Sequence, residues 1–103
     1  MLAVYMGSSL SVRLPDGTFP PAVIAAADDA LGAAGYVVTS RDTTAERGRV
    51  VGRTGTRKLG AQKVTVLARQ SNRGTLVDID IAPGGSEVVG RQMLERILNR
   101  LGL

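Results

Sequence analysis

Asp78 and Asp80 form a pair of carboxylates spaced two residues apart in this chain of 103 residues. On a β-strand both side chains would point to the same side of the sheet, and together they could hold a hard cation through oxygen ligands. Magnesium and calcium need more oxygen ligands than two carboxylates supply. The alternative is a pair of solvated strand residues facing Lys63 and Arg69 on a neighbouring strand, and we predict no metal site.

The chain contains no histidine and no cysteine. This composition removes the commonest general base, thiol nucleophiles, Cys–His zinc sites and disulfides. Serine and threonine nucleophiles need a base, and the spacing of the lysines and carboxylates does not join them into a site. We therefore predict no catalytic residue, no cofactor and no enzymatic activity.

A glycine-rich basic segment, residues 52–60, has the sequence GRTGTRKLG and the composition of an anion-binding loop. It matches neither the phosphate-binding loop ending in Gly-Lys-Ser/Thr nor the dinucleotide glycine pattern. It also lies between two predicted strands, so that no helix N-terminus is available to receive a phosphate. The alternative is an ordinary hairpin loop. Its least compensated charges are Arg53, Arg57 and Lys58, which we predict to contact an anionic surface.

Positive charge is concentrated in the middle of the chain. Residues 41–73 contain nine basic residues and two acids, a net charge of +7, whereas the rest of the chain has a net charge of −3. Such a segment attracts phosphates or anionic lipids. Sequence-tolerant binding of single-stranded nucleic acid usually adds aromatic stacking platforms, and residues 41–73 contain no aromatic residue. Nucleic acid is therefore the less favoured partner.

The elements that would position these residues follow from the hydrophobic pattern. Strand character comes either from alternation of apolar and polar residues or from runs of β-branched residues. Five segments have it: 8–14, 36–41, 49–53, 63–69 and 76–81. The last two are separated by Ser-Asn-Arg-Gly, which is typical of a β-hairpin.

Two helices are predicted from apolar residues at helical spacing and from residues typical of helix ends. The first follows Thr18 as its N-cap and ends at Gly35. The second follows Ser86 as its N-cap and ends at Gly102, with a broad apolar stripe between them. No stretch is long and apolar enough to span a membrane.

These elements predict a single α+β domain over residues 1–103, with 1–7 as a disordered or tether segment. We expect an antiparallel sheet of about four strands with two helices on one face, in the order β-α-β-β-β-α, because each strand has only one apolar side. The outer face of the sheet would carry polar residues, namely Ser9, Ser11, Arg13, Arg53, Lys63, Thr65, Arg69, Asp78 and Asp80.

Several short motifs along the chain form a recognisable set. They are Tyr5-x-Gly7 with Leu10, Ala30-Leu31 with Gly35, a glycine-punctuated basic hairpin, and Gly85-Ser86 leading into a helix with Ile97 and Leu101. Over residues 5–101 the chain resembles the short domains of unknown function found in small Gram-negative envelope lipoproteins. The resemblance implies a periplasmic domain held at a membrane by an N-terminal lipid, with Met1 in the place of the lipid-bearing cysteine.

The sequence thus favours a non-enzymatic, envelope-associated domain that meets another protein or an anionic membrane surface. The localisation depends on the gene, because a leader ending in a lipid-attachment cysteine upstream of Met1 would place the domain in the periplasm. Without that leader we expect a small basic cytoplasmic protein associated with nucleic acid. The oligomeric state and the identity of the partner do not follow from the sequence.

Overall fold

The computed structural model describes residues 1–54 and 61–103 of the chain. Within these ranges six strands and two helices follow one another. They are β1 (Ala3–Met6), β2 (Ser9–Leu14), α1 (Pro20–Ala33), β3 (Tyr36–Thr43), β4 (Arg47–Thr54), β5 (Lys63–Ser71), β6 (Gly74–Ala82) and α2 (Glu87–Leu101). The predicted α+β class is confirmed.

All six strands form one antiparallel sheet in the order β1-β2-β6-β5-β4-β3. The prediction of about four strands and the order β-α-β-β-β-α were wrong, because all five candidate segments join the sheet and β1 adds a sixth strand. β1 lies within residues 1–7, which the sequence placed outside the regular elements. It pairs with β2, so that Tyr5 lies opposite Leu10 and packs against the core.

Both helices pack on the inner face of the sheet. α1 lies against β3, β4 and β5, α2 lies against β2 and β6, and the helices contact each other. Apolar residues at alternate strand positions therefore face the helices, as the pattern predicted. The apolar residues at these positions of β5 and β6 are buried, and they include Val64, Val66, Val77, Ile79 and Ile81.

Most of the predicted helix ends are confirmed. The Ser86 side chain accepts a hydrogen bond of 3.2 Å from the backbone N–H of Val89, and Gly102 ends α2 with a φ of 75°. Thr18 does not cap α1, because the N-cap residue is Phe19, which makes no side-chain capping bond. Two prolines follow it and have no N–H to satisfy. The Thr18 carbonyl instead accepts a hydrogen bond from the hydroxyl of buried Thr75.

β3 forms one edge of the sheet and is irregular. Its pairing with β4 shifts register between Val38 and Ser40, which is a β-bulge. Beyond the bulge Arg41 reaches over the inner side and forms an ion pair with Asp28 of α1, with 2.6 Å between guanidinium nitrogen and carboxylate oxygen. The edge strand is thereby held to the helix layer.

Two glycines on β4 allow α1 to approach the sheet closely. Gly48 and Gly52 alternate with Val50 on the inner face and are buried. A Cβ atom on Gly48 would overlap the side chain of Ile24, and a Cβ atom on Gly52 would lie 3.0 Å from Leu31. The absence of side chains at these two positions therefore sets the distance between helix and sheet.

Gly48→Ala is expected to lower the free energy of unfolding by about 1–3 kcal/mol, because the added methyl group overpacks the contact with Ile24. Gly32→Ala is the matched control, since that exposed helical glycine has open space around it. The control should leave stability unchanged or raise it by up to about 1 kcal/mol. Chemical denaturation of both variants measures the difference, and equal stability would contradict the close approach.

Candidate anion-binding face of the sheet

The outer face of the sheet carries the polar side chains of the strands. No helix within residues 1–54 and 61–103 covers this face, since both helices pack on the other side. The register confirms all the outward residues predicted from the sequence. Six basic residues share this face, against the carboxylates of Asp42, Asp78 and Asp80. The basic residues are Arg13, Arg47, Arg49, Arg53, Lys63 and Arg69.

β4 supplies three of these charges because of its alternation. Its inner positions hold glycine and valine, which fit beneath α1, while its outer positions hold Arg47, Arg49, Val51 and Arg53. A strand with a period of two places all four outward side chains on one face. The three arginines are exposed.

Like charges lie directly opposite one another at both ends of the β4–β5 ladder. Arg47 is paired with Arg69 and Arg53 is paired with Lys63. Side chains directly opposite on antiparallel strands have Cβ atoms about 4.5–5.5 Å apart, and like charges there are destabilising. The ion pairs of the described residues involve none of these four. The face therefore holds uncompensated positive charge at two defined places.

The expectation that Asp78 and Asp80 face Lys63 and Arg69 was wrong. Asp78 lies opposite Leu67 and Asp80 lies opposite Thr65, whereas the two basic residues lie opposite Ala82 and Leu76. The reason is the hairpin register, which offsets the acids from the bases by two residues.

Serines on the other side of β6 engage both aspartates. Asp78 accepts a hydrogen bond from the hydroxyl of Ser11. Asp80 accepts hydrogen bonds from Ser8 at 2.9 Å and from Ser9 at 3.2 Å. The carboxylates thus turn toward β2 and form no ion pair with the bases of β4 and β5. Among the described residues no group of three or more acidic, histidine or cysteine side chains is placed to hold a metal ion.

The predicted contact residues divide between described and undescribed parts of the chain. Arg53 lies on the outer face near the end of β4, whereas Arg57 and Lys58 lie outside the described residues. The two ends of the intervening segment are joined, because the Thr54 N–H donates to the Gln62 carbonyl at 3.0 Å and the Gln62 N–H donates to the Thr54 hydroxyl at 2.9 Å. Arg53 therefore directly precedes Thr54, which these two hydrogen bonds hold in place.

Tyr36 reinforces this end of the sheet. Its hydroxyl donates a hydrogen bond of 2.8 Å to the side-chain oxygen of Gln62, and burial raises the pKa of the Tyr36 phenol above its ordinary value. The phenol therefore stays protonated and able to donate over the physiological range of pH.

A hollow of about 390 Å³ lies toward the opposite end of β4, and the sequence did not predict it. The charged side chains lining it are Arg47, Arg49, Arg69, Asp42 and Asp78. The charge count over residues 41–73 includes the three arginines, but the predicted contact residues are Arg53, Arg57 and Lys58. The alternation of arginine with glycine and valine along β4 is the signal that could have found three of the bases.

Comparison with protein-family models and with curated proteins found no match to this chain. Within the described ranges, neither helix is long and apolar enough to cross a membrane.

Arg69→Glu is expected to raise the free energy of unfolding by about 1 kcal/mol at low salt, because it replaces a repulsive cross-strand pair with an attractive one. Arg73→Glu changes the net charge equally but lies in the β5–β6 turn, outside the paired positions of both strands. Thermal unfolding at low and high salt compares the variants. Equal shifts in both, or no effect of salt on the difference, would show that Arg47 and Arg69 do not repel each other.

Proposed function

We propose that this domain is a non-enzymatic interaction module that docks on an anionic membrane surface through the outer face of its sheet. The observation that carries the proposal is the pair of directly opposed like charges, Arg47 with Arg69 and Arg53 with Lys63. Each arrangement costs stability in the free protein. An anion bound between the two bases would turn that repulsion into attraction.

The spacing of the charges suits an extended surface. The two like-charge pairs are six residues apart along β4, which corresponds to about 20 Å at about 3.3 Å per residue. One small ligand does not reach both ends, whereas a layer of anionic headgroups does. Each base near an anionic leaflet contributes about 1 kcal/mol, so that the attraction is weak, additive and sensitive to salt.

Apolar side chains on the same face favour a membrane over a nucleic acid. Val4 and Met6 project outward from β1, and Val37 and Leu67 project outward from β3 and β5. All four are exposed, and such residues can enter the headgroup region beside basic ones. Nucleic-acid binding by stacking has less support, because the chain has three aromatic residues and the outer face holds none of them.

An envelope location fits this mode of docking. The resemblance to small envelope lipoproteins supports a periplasmic domain with an N-terminal lipid, and residues 1–2 adjoin β1 at the edge of the outer face. A lipid there would hold the face close to the leaflet and raise its effective concentration. Weak electrostatic contacts would then suffice for stable docking. The open reading frame upstream of Met1 tests this part directly.

The domain is expected to co-sediment with vesicles of phosphatidylcholine and phosphatidylglycerol at low salt, and not with phosphatidylcholine alone. Arg53→Ala/Lys63→Ala removes one like-charge pair and should weaken the binding by about thirtyfold at low salt, since each base contributes about 1 kcal/mol. Arg73→Ala/Arg96→Ala is the control, with the same net charge but with both changes away from the paired strand positions of the outer face.

Equal loss in both variants would show attraction by net charge alone and would contradict docking through this face. Binding to a duplex DNA fragment, measured in place of binding to vesicles, tests the alternative that the domain associates with nucleic acid. Tighter binding to DNA than to anionic vesicles at the same salt would favour the nucleic-acid-associated function instead.

A further inference from the structure

The hollow at the end of β4 differs from the rest of the outer face because it is concave. It lies where the turn between β3 and β4 meets β5, and its volume of about 390 Å³ is within the range of small-molecule sites. Three arginines, Arg47, Arg49 and Arg69, are among the residues that line it, beside the exposed side chain of Leu67. The space thus combines three basic residues with an apolar surface.

The register places the three arginines next to one another on the outer face. Arg47 lies directly opposite Arg69, and Arg49 is the next outward residue on β4, diagonal to Arg69. Directly opposite and diagonal neighbours are within reach of one another when their side chains are long. The planar fork of arginine matches the oxygens of a phosphate in a bidentate manner. Three such forks around one space are suited to a single phosphate group.

Two carboxylates limit the charge that the hollow can accept. Asp42 lies opposite Arg49, and Asp78 lies opposite Leu67. Three guanidinium groups and two carboxylates leave a net charge of +1. This balance suits a singly charged phosphodiester better than a doubly charged phosphate monoester. The carboxylates are also acceptors for a hydroxyl or an ammonium group on the ligand.

We infer that this hollow is a binding site for one phosphodiester group whose second arm carries a hydroxyl or an ammonium group. The inference rests on the proposed function, since it specifies which group of a membrane surface the face would bind. Arg47 and Arg69 hold the phosphate between them, Leu67 packs against the carbon chain, and Asp42 accepts from the polar arm. The same chemistry occurs in phospholipid headgroups and in soluble phosphodiesters.

The test uses soluble glycerophosphoglycerol and glycerophosphoethanolamine, with inorganic phosphate as the comparison. Backbone amide resonances of residues 42–49 and 67–69 are expected to shift on titration with either diester, and much less with inorganic phosphate. Arg47→Gln/Arg69→Gln should weaken diester binding by about tenfold or more. Removal of a repulsive pair is expected not to lower stability, and thermal unfolding of the variant checks that it folds.

Arg53→Gln/Lys63→Gln is the matched control, because it removes the other like-charge pair and leaves the hollow intact. The control should keep the diester affinity of the parent protein. Equal weakening in both variants, or shifts spread evenly over the outer face, would overturn the site in favour of diffuse attraction. Preference for inorganic phosphate would overturn the assignment to a diester.

Vesicle binding separates this inference from the proposed function. Vesicle binding without diester binding in the hollow would support membrane docking through the outer face and overturn the phosphodiester site. Diester binding without vesicle binding would support the site with soluble phosphodiesters as its ligands and overturn membrane docking. Loss of both in Arg47→Gln/Arg69→Gln, with diester binding kept in the control, would support a headgroup bound in the hollow.

Discussion

The close approach of α1 to β4 is the contact that organises the molecule. Gly48 and Gly52 have no side chain to separate the helix from the strand, so that Ile24 and Leu31 reach the backbone of β4 directly. Because dispersion contacts weaken steeply with distance, this fit fixes where α1 lies across the sheet. Once α1 is fixed, α2 packs beside it over β2 and β6.

That inner constraint shapes the outer face as well. A strand whose inward positions are small and apolar can carry charge only at its outward positions, and β4 carries three arginines there. β5 places Lys63 and Arg69 opposite two of them, while the neighbouring aspartates are engaged by serines of β2 and the preceding turn. Repulsion at both ends of one ladder is costly in a domain whose net stability is small. The anion binding that we propose would relieve this repulsion.

The sequence predicted those parts of the fold that depend on local periodicity. Alternation identified β2, β5 and β6 and their buried residues, and cap residues located both ends of α2. β1 was not predicted because its four residues are mostly apolar and do not alternate with polar ones. Only the pairing with β2 determines which of them face the helices. The sequence predicted residues 49–53 rather than the whole of β4, because the inward positions Gly48 and Gly52 have no hydrophobic side chain that would mark them as buried.

The candidate site was predicted less completely for a related reason. Charge counted along the chain identified Arg53 but not its opposition to Lys63, which depends on the register between two strands. The same register placed Asp78 and Asp80 away from the bases they were expected to neutralise. Pairing between strands is a non-local property, and a two-residue offset leaves every side chain on its face while changing every neighbour.

The irregular edge of the sheet has a consequence for solubility. An open sheet exposes unpaired backbone groups along its outer strands, and these can recruit strands of other molecules into aggregates. On β3 the bulge between Val38 and Ser40 interrupts that row, and the link from Arg41 to Asp28 holds the strand against the helix layer. The other edge strand, β1, has only four residues whose backbone groups could pair with an added strand. Both borders are therefore poor templates for the addition of strands from other molecules.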